Sequence, residues 1–310
     1  MERKAILFIF LIFSLLLSGC GSGKETVNNP GTADVLKIYT TVYPLKDFSE
    51  KIGGKYVEVE TVYPPGTDEH SYEPTQKDII EMANGHFFFY IGYGLEGFVQ
   101  KVGPILENEG VKVVAVGEKV HIDDSRQVNH DDHHHGNIDP HIWIDPLYAK
   151  ELARHIKNEL AEAKPEQKKY FEKNYESLAK QLDEFHNRLT SVAKNAKVKK
   201  FVVSHAAYGY WEKRYGLEQI HISGISTSQE PSQKKLTQVM NEVEKGNFKY
   251  ILTEQNISNK LVDVVRRETD TSVLTIHNLA VLTERDIKNN EDYLSIMKKN
   301  IDTLEKALNQ

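Results

Sequence analysis

Between Pro165 and Asn195 the apolar residues Phe171, Tyr175, Leu178, Leu182, Phe185, Leu189 and Val192 recur at alternating steps of four and three. That spacing places them on one stripe of a single helix, about 46 Å long at a rise of about 1.5 Å per residue. A stripe of this length can lie across two bodies at once, so the helix is the expected rigid connector between two lobes. Coiled-coil pairing with a second copy is the alternative, and the heptads available for it are few.

The flanking segments fit two lobes. Ahead of the helix, Val35 to Val42 reads as a strand ended by Pro44, and Asp47 to Ile52 as a short helix stopped by Gly53-Gly54. Tyr56 to Val62 alternates as a strand should, and Pro64 to His70 is a turn-rich loop. Thr75 and Asp78 have the spacing of a helix N-cap, which opens a helix to Ala83. His86 to Ile91 and Val111 to Val116 read as strands, and Pro146 to Ala163 as a helix.

Beyond the long helix the pattern restarts. Strands are expected at Lys200 to Ser204, Ile220 to Ile222, Tyr250 to Thr253 and Val273 to Ile276. Helices are expected around Trp211 and over Ser232 to Lys245, Leu261 to Thr269 and Tyr293 to Leu308. Alternating strands and helices specify parallel sheets, so the expected class is α/β with two similar lobes. A faint echo supports the similarity: Glu73-Pro74-Thr75-Gln76-Lys77 returns as Glu230-Pro231-Ser232-Gln233-Lys234, each before a helix. Residues 35–164 form the first expected lobe, 165–197 the linker and 198–310 the second lobe. A chain of 310 residues is long enough for such a division.

The first 34 residues follow other rules. A short charged start, Met1 to Lys4, precedes an almost continuous apolar run from Ala5 to Leu17, then Leu17-Ser18-Gly19-Cys20. Residues 1–19 read as a secretory signal, too short for a confident membrane span. The ending has the form of a bacterial lipobox, which makes Cys20 the expected lipidated first residue of the mature chain. Cys20 is the sole cysteine, so an intrachain disulfide and a cysteine metal site are both excluded. Residues 20–34, rich in Gly, Ser, Asn and Pro, read as a tether. The expected location is the outer face of the cell membrane. A net charge of −6 offers no basic footprint for nucleic acid.

One window resists burial. From His121 to Trp143 the chain places six of its thirteen histidines among Asp123, Asp124, Asp131, Asp132 and Asp139, with almost no apolar residue before Ile142. Such a segment cannot build a core, but it offers neutral imidazoles to a borderline cation such as zinc. A solvated polar loop without a specific role is the plain alternative. Three other settings are better for tight binding, because ligands of α/β lobes gather on strand-ending loops. His70 lies between a strand and a capped helix. His141 is stiffened by Pro140 and flanked by apolar residues, and His205 directly follows a strand. Each has an ordinary alternative: a turn histidine, a partner of Trp143 and a helix-start residue. His86, His155, His186 and His221 lie in strands or helices with no convergent loop setting.

Taken together, these residues resemble the zinc-binding solute-binding lipoproteins of bacterial ABC uptake transporters, the ZnuA-like proteins. The resemblance runs through the lipobox, His70-Ser71-Tyr72-Glu73-Pro74, the His/Asp-rich loop and Asp139-Pro140-His141-Ile142-Trp143-Ile144-Asp145-Pro146. It continues through Ser204-His205-Ala206-Ala207-Tyr208-Gly209-Tyr210, Gln229-Glu230-Pro231-Ser232 and His277-Asn278-Leu279. It implies two α/β lobes joined by a long rigid helix, with Zn2+ in the cleft between them on His70, His141 and His205.

Manganese-binding relatives generally carry a carboxylate where this chain has His205, in keeping with the preference of harder cations for oxygen. Zinc-binding relatives often place an acid in the loop aligned with His277 to Leu282, where this chain has Ala280. The fourth ligand is therefore left among Glu69, His277, Glu284 and water.

The function implied is capture of zinc outside the cytoplasm and delivery, by a monomer, to an ABC permease with its ATPase. His121, His130, His133, His134 and His135 would form an auxiliary collector. Affinity is expected to fall as pH drops through the histidine range near 6.5. The rivals are a manganese-binding relative, a metal-dependent surface adhesin or sensor, and a secreted zinc hydrolase. The hydrolase lacks an HExxH helix and an aimed general base, so no enzymatic activity is expected.

Overall fold

A computed structural model describes residues 35–122, 138–226, 231–254 and 260–310. The signal-like segment, Cys20, and His130, His133, His134 and His135 lie outside the described residues.

In the N-terminal lobe the order is β1 (Leu36–Thr40), α1 (Tyr43–Gly53), β2 (Val57–Thr61), α2 (Gln76–Met82), β3 (Phe87–Tyr90), α3 (Val99–Asn108), β4 (Lys112–Ala115) and α4 (Pro146–Ala163). The long helix α5 (Lys168–Asn195) follows a single 3-10 turn at Pro165–Gln167. The C-terminal lobe then runs β5 (Lys200–His205), α6 (Gly209–Tyr215), β6 (Glu218–Ser223), α7 (Gln233–Gly246), β7 (Tyr250–Thr253), α8 (Lys260–Thr269), β8 (Ser272–Thr275), α9 (Glu284–Lys288) and α10 (Tyr293–Leu308).

Both sheets are parallel and share one topology, β2-β1-β3-β4 and β6-β5-β7-β8. The chain therefore changes direction across the sheet between β1 and β3 in one lobe, and between β5 and β7 in the other. Those switch points open crevices at the strand C-termini, where α/β folds bind ligands. In the N-terminal lobe this crevice is plugged by buried Glu96, which accepts hydrogen bonds from Thr41 Oγ1 (2.8 Å), Ile91 N (2.9 Å) and Gly92 N (3.0 Å). The C-terminal crevice is where His205 ends its strand.

Helix α5 behaves as its sequence stripe requires. Phe171, Leu178, Leu182, Leu189 and Val192 are buried, with Tyr175 and Phe185 packed half-buried beside them. The stripe rests on α4 and α1 of the first lobe and on α6 and α10 of the second, so the chain itself covers the face that a coiled-coil partner would need. Thr75 and Asp78 form the expected capping box on α2.

Two helices escape the sequence reading. The sequence reading assigns no element to 99–108; Pro104 sits inside α3 there, where burial of Val99, Val102 and Leu106 outweighs the lost backbone bond. The five-residue α9 is too short to show periodicity, although its Thr283–Asp286 capping box is well formed. Helix α1 also begins earlier than expected, because Pro44 occupies its first turn, where a missing N–H costs nothing.

The lobes are joined by more than α5. Trp143, fully buried, donates Nε1–H to the carbonyl of Asn278 (2.7 Å), and its own carbonyl accepts from Tyr293 Oη (2.7 Å). Trp211 Nε1 reaches the Ile144 carbonyl at 3.0 Å, and Arg214 pairs with buried Asp145, which also caps α4. Residues 139–145 of the first lobe thus sit on a fixed seat in the second. No helix among the described residues is long and apolar enough to cross a membrane.

Candidate metal centre

His70 projects from the loop between β2 and α2, where its backbone N–H is held by Asp68 Oδ1 at 2.9 Å. His141 precedes a single 3-10 turn at Ile142–Ile144 that leads into α4. Its backbone N–H and its Nδ1 both meet Asp139 Oδ1, at 3.0 and 2.7 Å, and the Asp139 carbonyl accepts from Tyr210 Oη. A carboxylate on Nδ1 leaves Nε2 as the free coordinating nitrogen, the arrangement commonly found behind metal-bound histidines. His205 is the last residue of β5, with Nδ1 3.1 Å from Glu254 Oε1 and Nε2 2.7 Å from the Ile225 carbonyl.

These three side chains converge. Their rings pack with centroid separations of 5.2, 5.3 and 4.8 Å, and one ligand nitrogen from each lies within 4.8 Å of the other two. His70 Nε2 and His141 Nε2 are 3.2 Å apart. Two nitrogens bound tetrahedrally at about 2.0–2.1 Å would lie about 3.3 Å apart, so this pair is already spaced for zinc. His141 and His205 are buried to within 1%.

The carboxylates distinguish the fourth-ligand candidates. Glu69 is buried, with Oε1 3.9 Å from His70 Nε2. Burial, followed by the neighbouring charge of Glu254, pushes its carboxyl up to about 8. His277 has both ring nitrogens engaged nearby: Nδ1 accepts from Leu279 N at 2.8 Å, and Nε2 faces Asp286 Oδ2 of α9 at 3.4 Å. Glu284 lies exposed in the first turn of α9, a position that suits an acid through the helix dipole. Among the described residues, the converging group is His70, His141 and His205, and Glu69, His277 and Glu284 all lie outside it. His121 is exposed.

Residues 38–307 match the family model described as the zinc-uptake complex component A periplasmic protein, ZnuA. The chain belongs to this family. It is 32% identical to the zinc-binding lipoprotein AdcA of Streptococcus pneumoniae over 99% of its own length, and it spans 62% of that longer protein. The high-affinity zinc uptake system protein ZnuA of Bacillus subtilis is 28% identical, with 97% of each chain covered. Among solved structures, the Zn(II)-bound ZnuA-like domain of pneumococcal AdcA superposes with a TM-score of 0.74 at 32% identity, covering 89% of this chain and all of that domain.

For a ZnuA-family chain, the sequence reading passed over Glu254. It follows β7 directly, as His205 ends β5, and these adjacent strands flank the C-terminal switch point. The strand-end rule that selected His205 would have found Glu254 had it been applied to carboxylates as well as imidazoles.

Glu254 also moves the expected pH window. Burial lowers the basicity of His205, but the charge and hydrogen bond of Glu254 outweigh it and raise the ring to about 9. His70 moves the other way, down to about 2, through burial and its two histidine neighbours. The shifts therefore hold His70 toward the neutral form and His205 toward the protonated one, so that His205 would have to release a proton to coordinate. Zinc affinity is expected to weaken about tenfold per pH unit from pH 8 to pH 6 through His205 alone. Zinc titrations across that range check this, and Glu254→Gln should flatten the slope above neutrality.

Proposed function

We propose that this protein captures Zn2+ outside the cytoplasm and delivers it to the permease of an ATP-driven uptake transporter. The observation that carries the reading is the convergence of His70 and His141, from two loops of the first lobe, with His205, from a strand end of the second, their ligand nitrogens lying within 4.8 Å. Imidazole suits zinc, and a nitrogen-rich site disfavours the oxygen-seeking manganese ion. We assign Glu69 as the fourth ligand, since its Oε1 lies 3.9 Å from His70 Nε2, whereas His277 is engaged by Asp286 and Leu279 and Glu284 is exposed. The buried site is read as a cargo site rather than a catalytic one, consistent with the zinc-binding and zinc-uptake names of the relatives.

Two further parts complete the proposal. The lipobox around Cys20 would anchor a monomer to the outer face of the membrane, as the lipoprotein name of the pneumococcal relative supports. The histidines from His121 to His135 would form an auxiliary collector that binds zinc weakly. Competition titration of the full chain with Zn2+ and Mn2+ tests the assignment, repeated with His70, His205 and residues 121–136 altered in turn. Zinc should win in the parent. Either histidine change should remove the tight site, and the deletion should remove only weaker binding. Preference for manganese, or loss of the tight site on deletion, would contradict the division of roles.

A further inference from the structure

Asn278 occupies the seam between the lobes and is fully buried. Its side-chain oxygen accepts from Ala280 N at 3.0 Å, closing a local turn, while the next residue, Leu279, adopts a left-handed φ of 67°. A buried leucine holds that conformation only where its surroundings impose it. Backbone bonds from the opposite lobe supply the constraint: Tyr43 N to the Ala280 carbonyl (2.7 Å) and Gly66 N to the Leu282 carbonyl (3.0 Å), together with Trp143 Nε1 to the Asn278 carbonyl.

With its oxygen committed to Ala280, the amide must present Nδ2, and two carboxylates receive it. Nδ2 lies 2.8 Å from Glu69 Oε1 in the first lobe and 2.9 Å from Glu254 Oε2 in the second. An amide nitrogen carries two hydrogens, so both bonds are made at once. The Glu69 oxygen it holds is the one 3.9 Å from His70 Nε2.

We propose that Asn278 is a positioning residue for zinc capture, acting through Glu69: its amide fixes the carboxylate at the edge of the imidazole cluster before the ion arrives. The inference rests on the assignment of Glu69 and the three histidines as ligands. It adds that a residue on the 277–282 loop, which itself contributes no ligand, sets the geometry of a ligand from the other lobe. Asn278 also gives one oxygen of each of two buried acids, Glu69 Oε1 and Glu254 Oε2, a shared donor.

The test is a double-substitution cycle in the full-length protein, with zinc affinity measured against a chelator. Asn278→Ala should weaken zinc binding on the order of tenfold, the usual scale for residues behind a metal ligand. In a Glu69→Gln background the same change should cost less than about twofold, because the carboxylate it positions is gone. Asn278→Ser provides a variant that keeps the local turn through its hydroxyl but is too short to reach the acids, and it should behave as Ala does. Cobalt(II) in the site supplies a second readout: Asn278→Ala and Glu69→Gln should alter its visible absorption in the same way.

Equal losses in both Glu69 backgrounds, or an unchanged cobalt spectrum with only a lower melting temperature, would overturn the positioning role. Should His70→Ala leave zinc binding untouched, the ligand assignment beneath it would fall as well. Dependence on His70 without coupling to Glu69 would remove the inference alone.

Discussion

Changing His141 to Ala is expected to weaken zinc binding by at least about 100-fold, roughly 2.7 kcal/mol, while the protein stays folded. His141 is the most firmly prepared of the three imidazoles: it is fully buried, its Nδ1 is fixed by Asp139, and its Nε2 already faces His70 Nε2 at 3.2 Å. On the proposed ligand set, removing it takes away one of the three imidazoles that converge. Asp139 keeps the backbone N–H of residue 141 and so is not stranded. Zinc titration beside thermal denaturation of the metal-free protein separates the two effects. A variant with parental affinity would remove His141 from the site. A large fall in melting temperature would mean that the ring serves mainly to pack against Trp143, whose centroid is 5.3 Å away.

Trp143→Ala should produce the opposite pattern, a loss of stability of about 3–5 kcal/mol with the metal ligands still present. The indole has no exposed surface, and it ties the lobes through the Asn278 carbonyl. Its removal leaves both a cavity and a buried carbonyl without a donor. The melting temperature of the metal-free protein should fall on the order of 10 °C. Trp143→Phe isolates the hydrogen bond, because it fills much of the space without the N–H, and should cost less than half as much. A shift of only a degree or two for Trp143→Ala would show that Trp143 contributes little and that the other contacts between the lobes hold them together.

The architecture was readable because its signals are periodic. Seven apolar residues at steps of four and three define α5 whatever surrounds them, and strand–helix alternation on either side of it leaves two parallel lobes as the expectation. Helix α3 was hidden because Pro104 obeys a local rule that tertiary burial overrides. At the site, His70 and His205 stood out through their strand-end settings and His141 through Pro140 and its apolar neighbours, and the structure brings the three rings together.

The surroundings of those histidines were less accessible. His277 and Glu284 looked as available as Glu69 in one dimension; in three, one is committed to Asp286 and Leu279 and the other faces solvent. Asn278 carries no local signal, since its role depends on two acids that are 209 and 24 residues away in the chain. The pH window near 6.5 followed from an isolated imidazole, and it moved because Glu254 stands behind His205.

The central claim is the ligand set, and X-ray absorption spectroscopy of the zinc-loaded full chain reads it directly. The expected first shell contains three imidazole nitrogens at about 2.0 Å and one carboxylate oxygen. One imidazole should be lost in each of His70→Ala, His141→Ala and His205→Ala. A shell dominated by oxygen, or one whose imidazoles survive all three substitutions, would contradict the account.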